Sequence, residues 1–203
     1  MTETRDRIVA ATTELFRRRG YNGTSLKQIT GAAAAPTGSL YHFFPGGKDD
    51  LARTVITTSG SAYRQLFELI ADEAGDPGAA VSAFFDGAAD TLADTDYIDA
   101  CPIGTIAREV ASTSDDLRQA TADVFTEWVT ALADRLVAAG MSRGGATDFA
   151  TTVVAALEGG FVLARAQRDA SLLRTTGRHM RTLVDAAVAA AVREHGIGHA
   201  ARG

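Results

Sequence analysis

Between Gly20 and Lys48 the chain carries helix stops and starts so closely spaced that only short helices fit between them. Gly20 ends an amphipathic stretch over 5–19, in which Ile8, Ala11, Leu15 and Phe16 recur at helical spacing and Thr4 is the expected N-cap. Ser25 and Gln28 have the spacing of a capping box, and Leu26 and Ile29 begin the apolar face of a second helix. Ala32, Ala33 and Ala34 allow a compact turn. Pro36 suits the first turn of a third helix, where its missing N–H is no loss, and Pro45-Gly46-Gly47 ends that helix. Lys48-Asp49-Asp50 opens a fourth, with the two aspartates at its positive end. The segment therefore imposes two short helices joined by a tight turn and held between longer ones. Leu40 and Phe43 are expected to face inward onto Leu15, Phe16, Leu26 and Ile29, with Phe44 open to either a core or a surface role.

The same signals continue to the C-terminus. The fourth helix is expected to run on through Glu73, and others from Pro77 through Leu92, from Pro102 through Val110, from after Ser114 through Ala139, and over 146–168 and 171–194. The 140–145 stretch reads as a loop, 96–100 as a polar connector, and the tail from Gly196 as frayed. No segment shows the alternating pattern of a strand, so the expected fold is all-α with about nine helices.

Charge is distributed unevenly along the chain. The formal net charge is −5, yet residues 1–48 hold seven Lys/Arg against three Asp/Glu, and the remainder holds thirteen against twenty-two. A basic head on an acidic body fits a polyanion contact at one end, or a chance cluster on a solvated helix. Cys101 is the only cysteine, so no internal disulfide forms; its expected role is a buried structural thiol. No signal peptide is visible, and Glu158 and Asp185 interrupt the two best candidates for a membrane span, so a cytoplasmic protein without a membrane partner is expected. His195 and His199 lie four apart, but glycines separate them and no third ligand is near; neither a metal nor a cofactor is expected. No catalytic signature or phosphate-binding loop is present.

A helix that enters the ~12 Å-wide major groove needs short side chains at its leading end and polar or cationic groups around it to hold the phosphates. Thr37, Gly38 and Ser39 provide the first; Thr24, Ser25, Tyr41, His42 and Lys48 provide the second. On these residues, together with Ile8, Ala11, Leu15, Phe16, Gly20, Tyr21, Ile29, Ala33, Leu40, Phe43 and Phe44, the segment from Arg7 to Leu51 resembles the DNA-binding domain of the TetR family of bacterial transcriptional regulators. The extra glycine in Phe44-Pro45-Gly46-Gly47-Lys48, Cys101-Pro102-Ile103-Gly104 and Ala156-Leu157-Glu158-Gly159 are similar to the LmrA/YxaF subgroup. Relatives often carry Lys where this chain has Thr37, so their operator preference does not transfer.

The resemblance implies a DNA-binding domain over 1–51 and an effector-binding, dimerising domain over 52–203. Thr37 and Gly38 would face bases, Tyr41 the backbone or a thymine methyl, and Thr24, Ser25, Ser39, His42 and Lys48 phosphates. Val, Ala and Gly along the last two helices (146–194) would form a homodimer interface, although part of each stripe must serve the subunit's own core. Phe84, Phe85, Tyr97, Ile103, Phe125, Trp128 and Phe161 would line a pocket for a small lipophilic effector, with Arg108, Glu109 or Glu158 as a polar contact; each is also a candidate core or surface residue. The implied function is a ligand-released repressor on palindromic operator DNA. A helical carrier or enzyme with an incidental helix-turn-helix is the alternative.

Overall fold

The computed structural model describes the backbone of residues 2–98 and 101–200, and side chains within 3–98 and 101–193. Among the described residues there are nine helices and no strand. They are α1 (Thr2–Arg19), α2 (Leu26–Ala32), α3 (Thr37–Phe43), α4 (Lys48–Ala74), α5 (Pro77–Asp94), α6 (Pro102–Val110), α7 (Asp115–Ala138), α8 (Arg143–Gln167) and α9 (Ser171–Ala200).

Most helix ends fall where local chemistry places them. Gly20 adopts φ +73° and donates its N–H to the Phe16 carbonyl at 2.9 Å, closing α1 in a conformation that suits glycine. At α2 the capping box forms in full: the Ser25 hydroxyl accepts from the Gln28 N–H, and the Gln28 side chain accepts from the Ser25 N–H. Asp76 caps α5 by accepting the Ala79 N–H at 2.8 Å, with Pro77 at the first helical position.

Four ends differ from expectation. Helix α1 starts at Thr2, so Thr4 lies inside it rather than capping it. Pro36, with φ −60° and ψ 145°, stands just before α3 rather than in its first turn. Helix α8 begins at Arg143, because the Ser142 hydroxyl accepts the Gly145 N–H and draws the two glycines into the first turn. Helix α9 runs through Gly196 and Gly198 to Ala200, where fraying was expected; an isolated glycine weakens a helix by about 1 kcal/mol without obliging it to end. The side chains of His195 and His199 lie outside the described residues.

By packing, the chain divides into two compact units, one of Met1–Tyr63 with Ile98–Phe125 and one of Arg64–Tyr97 with Thr126–Gly203. These units follow contacts rather than the functional division at residue 51 expected from the sequence. In the first, Ile8, Phe16, Ile29, Leu40, Phe44, Leu51 and Ile56 are buried together with Ile103, Ile106 and Val110 of α6. In the second, α5 packs along α9, and Val81, Phe85, Leu92, Leu136, Val153, Leu157, Leu173 and Val184 build the core.

Phe44, not Phe43, is the aromatic anchor at the end of α3. It is 2% exposed, whereas Phe43 is only half-buried and meets the edge of His42 at 4.9 Å. Phe44→Ala is expected to destabilise the protein by about 3–5 kcal/mol, and Phe43→Ala by well under half of that. Denaturant unfolding of the two variants checks this; equal losses would contradict the assignment.

Candidate nucleic-acid interface

Helix α3 is held by Leu40, which is fully buried, and by Phe44 immediately after it. That anchoring leaves Thr37, Gly38, Tyr41 and His42 exposed and Ser39 half-buried. Tyr41 keeps 49% of its surface in solvent. A Cβ placed on Gly38 would meet nothing within 4 Å, so packing does not demand glycine there. The result is a smooth exposed face with one aromatic ring and no acidic group on α3.

The surrounding groups fall into two sets. Ser25 is exposed, and its hydroxyl is already engaged with Gln28 as the α2 cap. Thr24 departs from expectation: it is 2% exposed, and its hydroxyl donates inward to the Gly20 carbonyl at 2.8 Å. Its side chain therefore belongs to the α1–α2 turn and is turned away from solvent, unlike the other residues expected at phosphates.

At the start of α4, the Lys48 ammonium stands 4.2 Å from the centre of the Tyr21 ring, and the Tyr21 hydroxyl donates to the Asp49 carboxylate. Partial burial lowers the Lys48 pKa, while the charges of Glu109 and Asp49 act in the opposite direction. Tyr21 is pushed up to about 12, first by burial and then by its hydrogen bond to Asp49 and that residue's charge. Both amine and phenol thus sit in a partly dried cluster just beyond the end of α3.

Two cations of the basic head lie on α1 and pack against the α2–α3 segment. The Arg5 guanidinium lies 5.5 Å from the centre of the Phe44 ring. Arg7 donates from Nε to the Ala33 carbonyl at 3.3 Å, tying α1 to the turn between α2 and α3. Both are visible in the sequence as positive charges, but contacts between residues 26 or more positions apart have no local signature.

The expected effector residues fall in both packing units. Phe84, Phe85, Tyr97, Trp128 and Phe161 belong to the second packing unit, while Ile103 and Phe125 belong to the first. Phe85 and Ile103 are core residues, with 1% and 0% exposure. Phe85 presses on Gly177, where a Cβ would fall 2.5 Å from its own. Phe84 meets Phe67 edge-on at 5.9 Å, and Tyr97 lies beneath the Arg168 guanidinium at 5.2 Å. A separate open cleft of about 220 Å³ in the second unit is bounded by Phe67, Ala71, Pro77, Ala80 and Arg135 among others, and none of the seven expected residues lines it. Among the described residues no group of His, Cys, Asp and Glu is arranged to hold a metal ion.

Comparison with known proteins decides the family. Residues 8–55 match the bacterial regulatory proteins of the tetR family, and residues 77–179 match the C-terminal domain of LmrA/YxaF-like transcriptional regulators. The chain is a TetR-family transcriptional regulator. The HTH-type transcriptional regulator YxaF of Bacillus subtilis is 33% identical over 182 residues, covering 90% of this regulator and 95% of YxaF. LmrA of the same organism, also an HTH-type transcriptional regulator, is 33% identical over 171 residues, covering 84% and 91%. The Escherichia coli repressor NemR, in its reduced form, has the same fold with a TM-score of 0.78 at 22% identity, over 88% of this regulator and 95% of NemR. The regulator binds DNA and is not an enzyme, as the matched family and relatives are transcriptional regulators.

Proposed function

We propose that the regulator is a ligand-released repressor that reads a palindromic operator as a homodimer. The observation that carries the reading is the exposed leading face of α3, where Gly38 has no packing duty and Tyr41 stands half in solvent above a fully buried Leu40. In this reading residues 1–51 read the DNA and 52–203 regulate. Thr37 and Gly38 meet base edges, Tyr41 meets the backbone or a thymine methyl, and Ser25, Ser39, His42 and Lys48 meet phosphates.

Dimerisation is supported by how the apolar stripes of α8 and α9 divide. Val153, Leu157 and Val184 turn inward, whereas Val162, Leu163, Leu183 and Val192 are 47–55% exposed. Among the described residues α8 is the one helix long and apolar enough to cross a membrane by length and composition. A partner subunit covers its outward residues in the present reading, and the regulator works in the cytoplasm, where its DNA is.

Repression is supported by NemR, itself a repressor. The effector is small and lipophilic, and Phe84, Tyr97, Phe125, Trp128 and Phe161, all partly exposed, are its first candidates for contact; the buried Phe85 and Ile103 rank below them. Such a ligand releases DNA only by binding the released form more tightly. Selection from a random pool of duplexes tests the reading. Enrichment of an inverted repeat with half-site centres ~34–36 Å apart, or a near multiple, is expected. Enrichment of an unrepeated site, or none, would contradict it.

A further inference from the structure

Glu109 lies on α6, eighty-seven residues from Asn22, yet its carboxylate accepts the Asn22 N–H at 2.6 Å in the turn between α1 and α2. It also fills the space beside Gly20, where any Cβ would overlap it. Its charge favours the Lys48 ammonium, which stands over Tyr21 in the same turn. One carboxylate of α6 thus bears on the turn that leads into the Ser25 cap and on the lysine that opens α4. Helix α6 packs against α1 and belongs to the same compact unit.

We infer that Glu109 is a positioning residue for DNA binding, holding the α1–α2 turn and Lys48 in the arrangement that meets phosphates. This rests on the proposed role of Lys48 and Ser25. Glu109 itself touches no DNA, since a carboxylate facing phosphates would repel them. It acts by raising the fraction of molecules whose turn and lysine are already placed, and apparent affinity scales with that fraction. A charge-assisted hydrogen bond to a backbone N–H is strong enough to set such a fraction. Gly20 is the counterpart of the arrangement, because its bare Cα lets the carboxylate approach.

The test uses full-length protein and a duplex that the wild type has selected from a random pool. Affinity is measured for Glu109→Ala, Glu109→Gln, Lys48→Ala and the Glu109→Ala/Lys48→Ala pair, with unfolding midpoints alongside. Glu109→Ala is expected to weaken binding about tenfold, corresponding to a fall of the placed fraction to about a tenth. Glu109→Gln retains an oxygen to accept the Asn22 N–H and is expected to recover part of the loss. The double variant is expected to lose less than the product of the single losses, because the two residues serve one cluster. If Lys48→Ala weakens binding but Glu109→Ala stays within twofold of wild type, the inference is overturned while the reading of Lys48 survives. If Lys48→Ala has no effect, the reading of Lys48 fails first, and the inference with it. A loss in Glu109→Ala that multiplies with that of Lys48→Ala, without recovery in Glu109→Gln, would also overturn it.

Discussion

Tyr41→Ala is expected to lower affinity for the selected operator by about 100-fold and to leave the unfolding free energy within about 0.5 kcal/mol of wild type. The two outcomes separate because of where the ring stands. Half of Tyr41 is already in water, so truncation removes little from the core, which Leu40 and Phe44 supply. A single side chain that meets DNA contributes about 1–3 kcal/mol, and a homodimer loses it twice, once in each half-site. Two losses of about 1.4 kcal/mol each give the hundredfold change. Electrophoretic or fluorescence titration, paired with denaturant unfolding, measures both. A variant that binds as well as wild type would remove Tyr41 from the interface. One that unfolds far more readily would show the ring to be structural instead.

Leu163→Asp is expected to weaken dimerisation by about 1,000-fold and to carry operator affinity down with it. Leu163 is 54% exposed in the isolated subunit, so a carboxylate there finds water and the subunit stays folded. In a twofold interface the same substitution appears on both sides, and desolvated like charges facing each other cost several kcal/mol. Leu183→Asp on α9, at 48% exposure, is the companion variant and is expected to act in the same direction. Sedimentation equilibrium reads the subunit mass over a concentration series. Dimers of undiminished affinity in both variants would place the interface elsewhere and leave the outward face of α8 and α9 unexplained.

Much of this was legible because the signals are local. The capping box at Ser25 and Gln28, the stop at Gly20, the break at Asp76-Pro77 and the start of α6 at Pro102 each follow from a few adjacent residues, and each helix end is where those residues place it. The recognition segment is legible for the same reason, and the family match extends it across most of the chain. What was missed depends on which way a side chain turns. Thr24 has a hydroxyl suited to a phosphate, but the neighbouring Gly20 carbonyl claims it. Phe43 and Phe44 are adjacent and chemically alike, and only the end of α3 after Phe43 decides that Phe44 goes inside. Glu109 was expected only as a polar contact for an effector or a surface residue, since its partner at Asn22 is distant in sequence. The residues expected at a pocket are distributed over both packing units, and Phe84, Phe85, Tyr97 and Phe161 of the second share one apolar cluster. Size and hydrophobicity identify core material, whereas the shape of a cavity depends on how several helices meet.

The account stands on two copies of α3 reading one duplex from a fixed separation. The most direct measurement is the affinity of the wild-type protein for its selected operator as the spacer between half-sites is lengthened. An insertion of about five base pairs rotates one half-site by half a helical turn, to the opposite face of the duplex, and is expected to reduce affinity to the level of a random competitor. Affinity indifferent to that insertion would mean that the two recognition helices are not held in register, and the account would be contradicted.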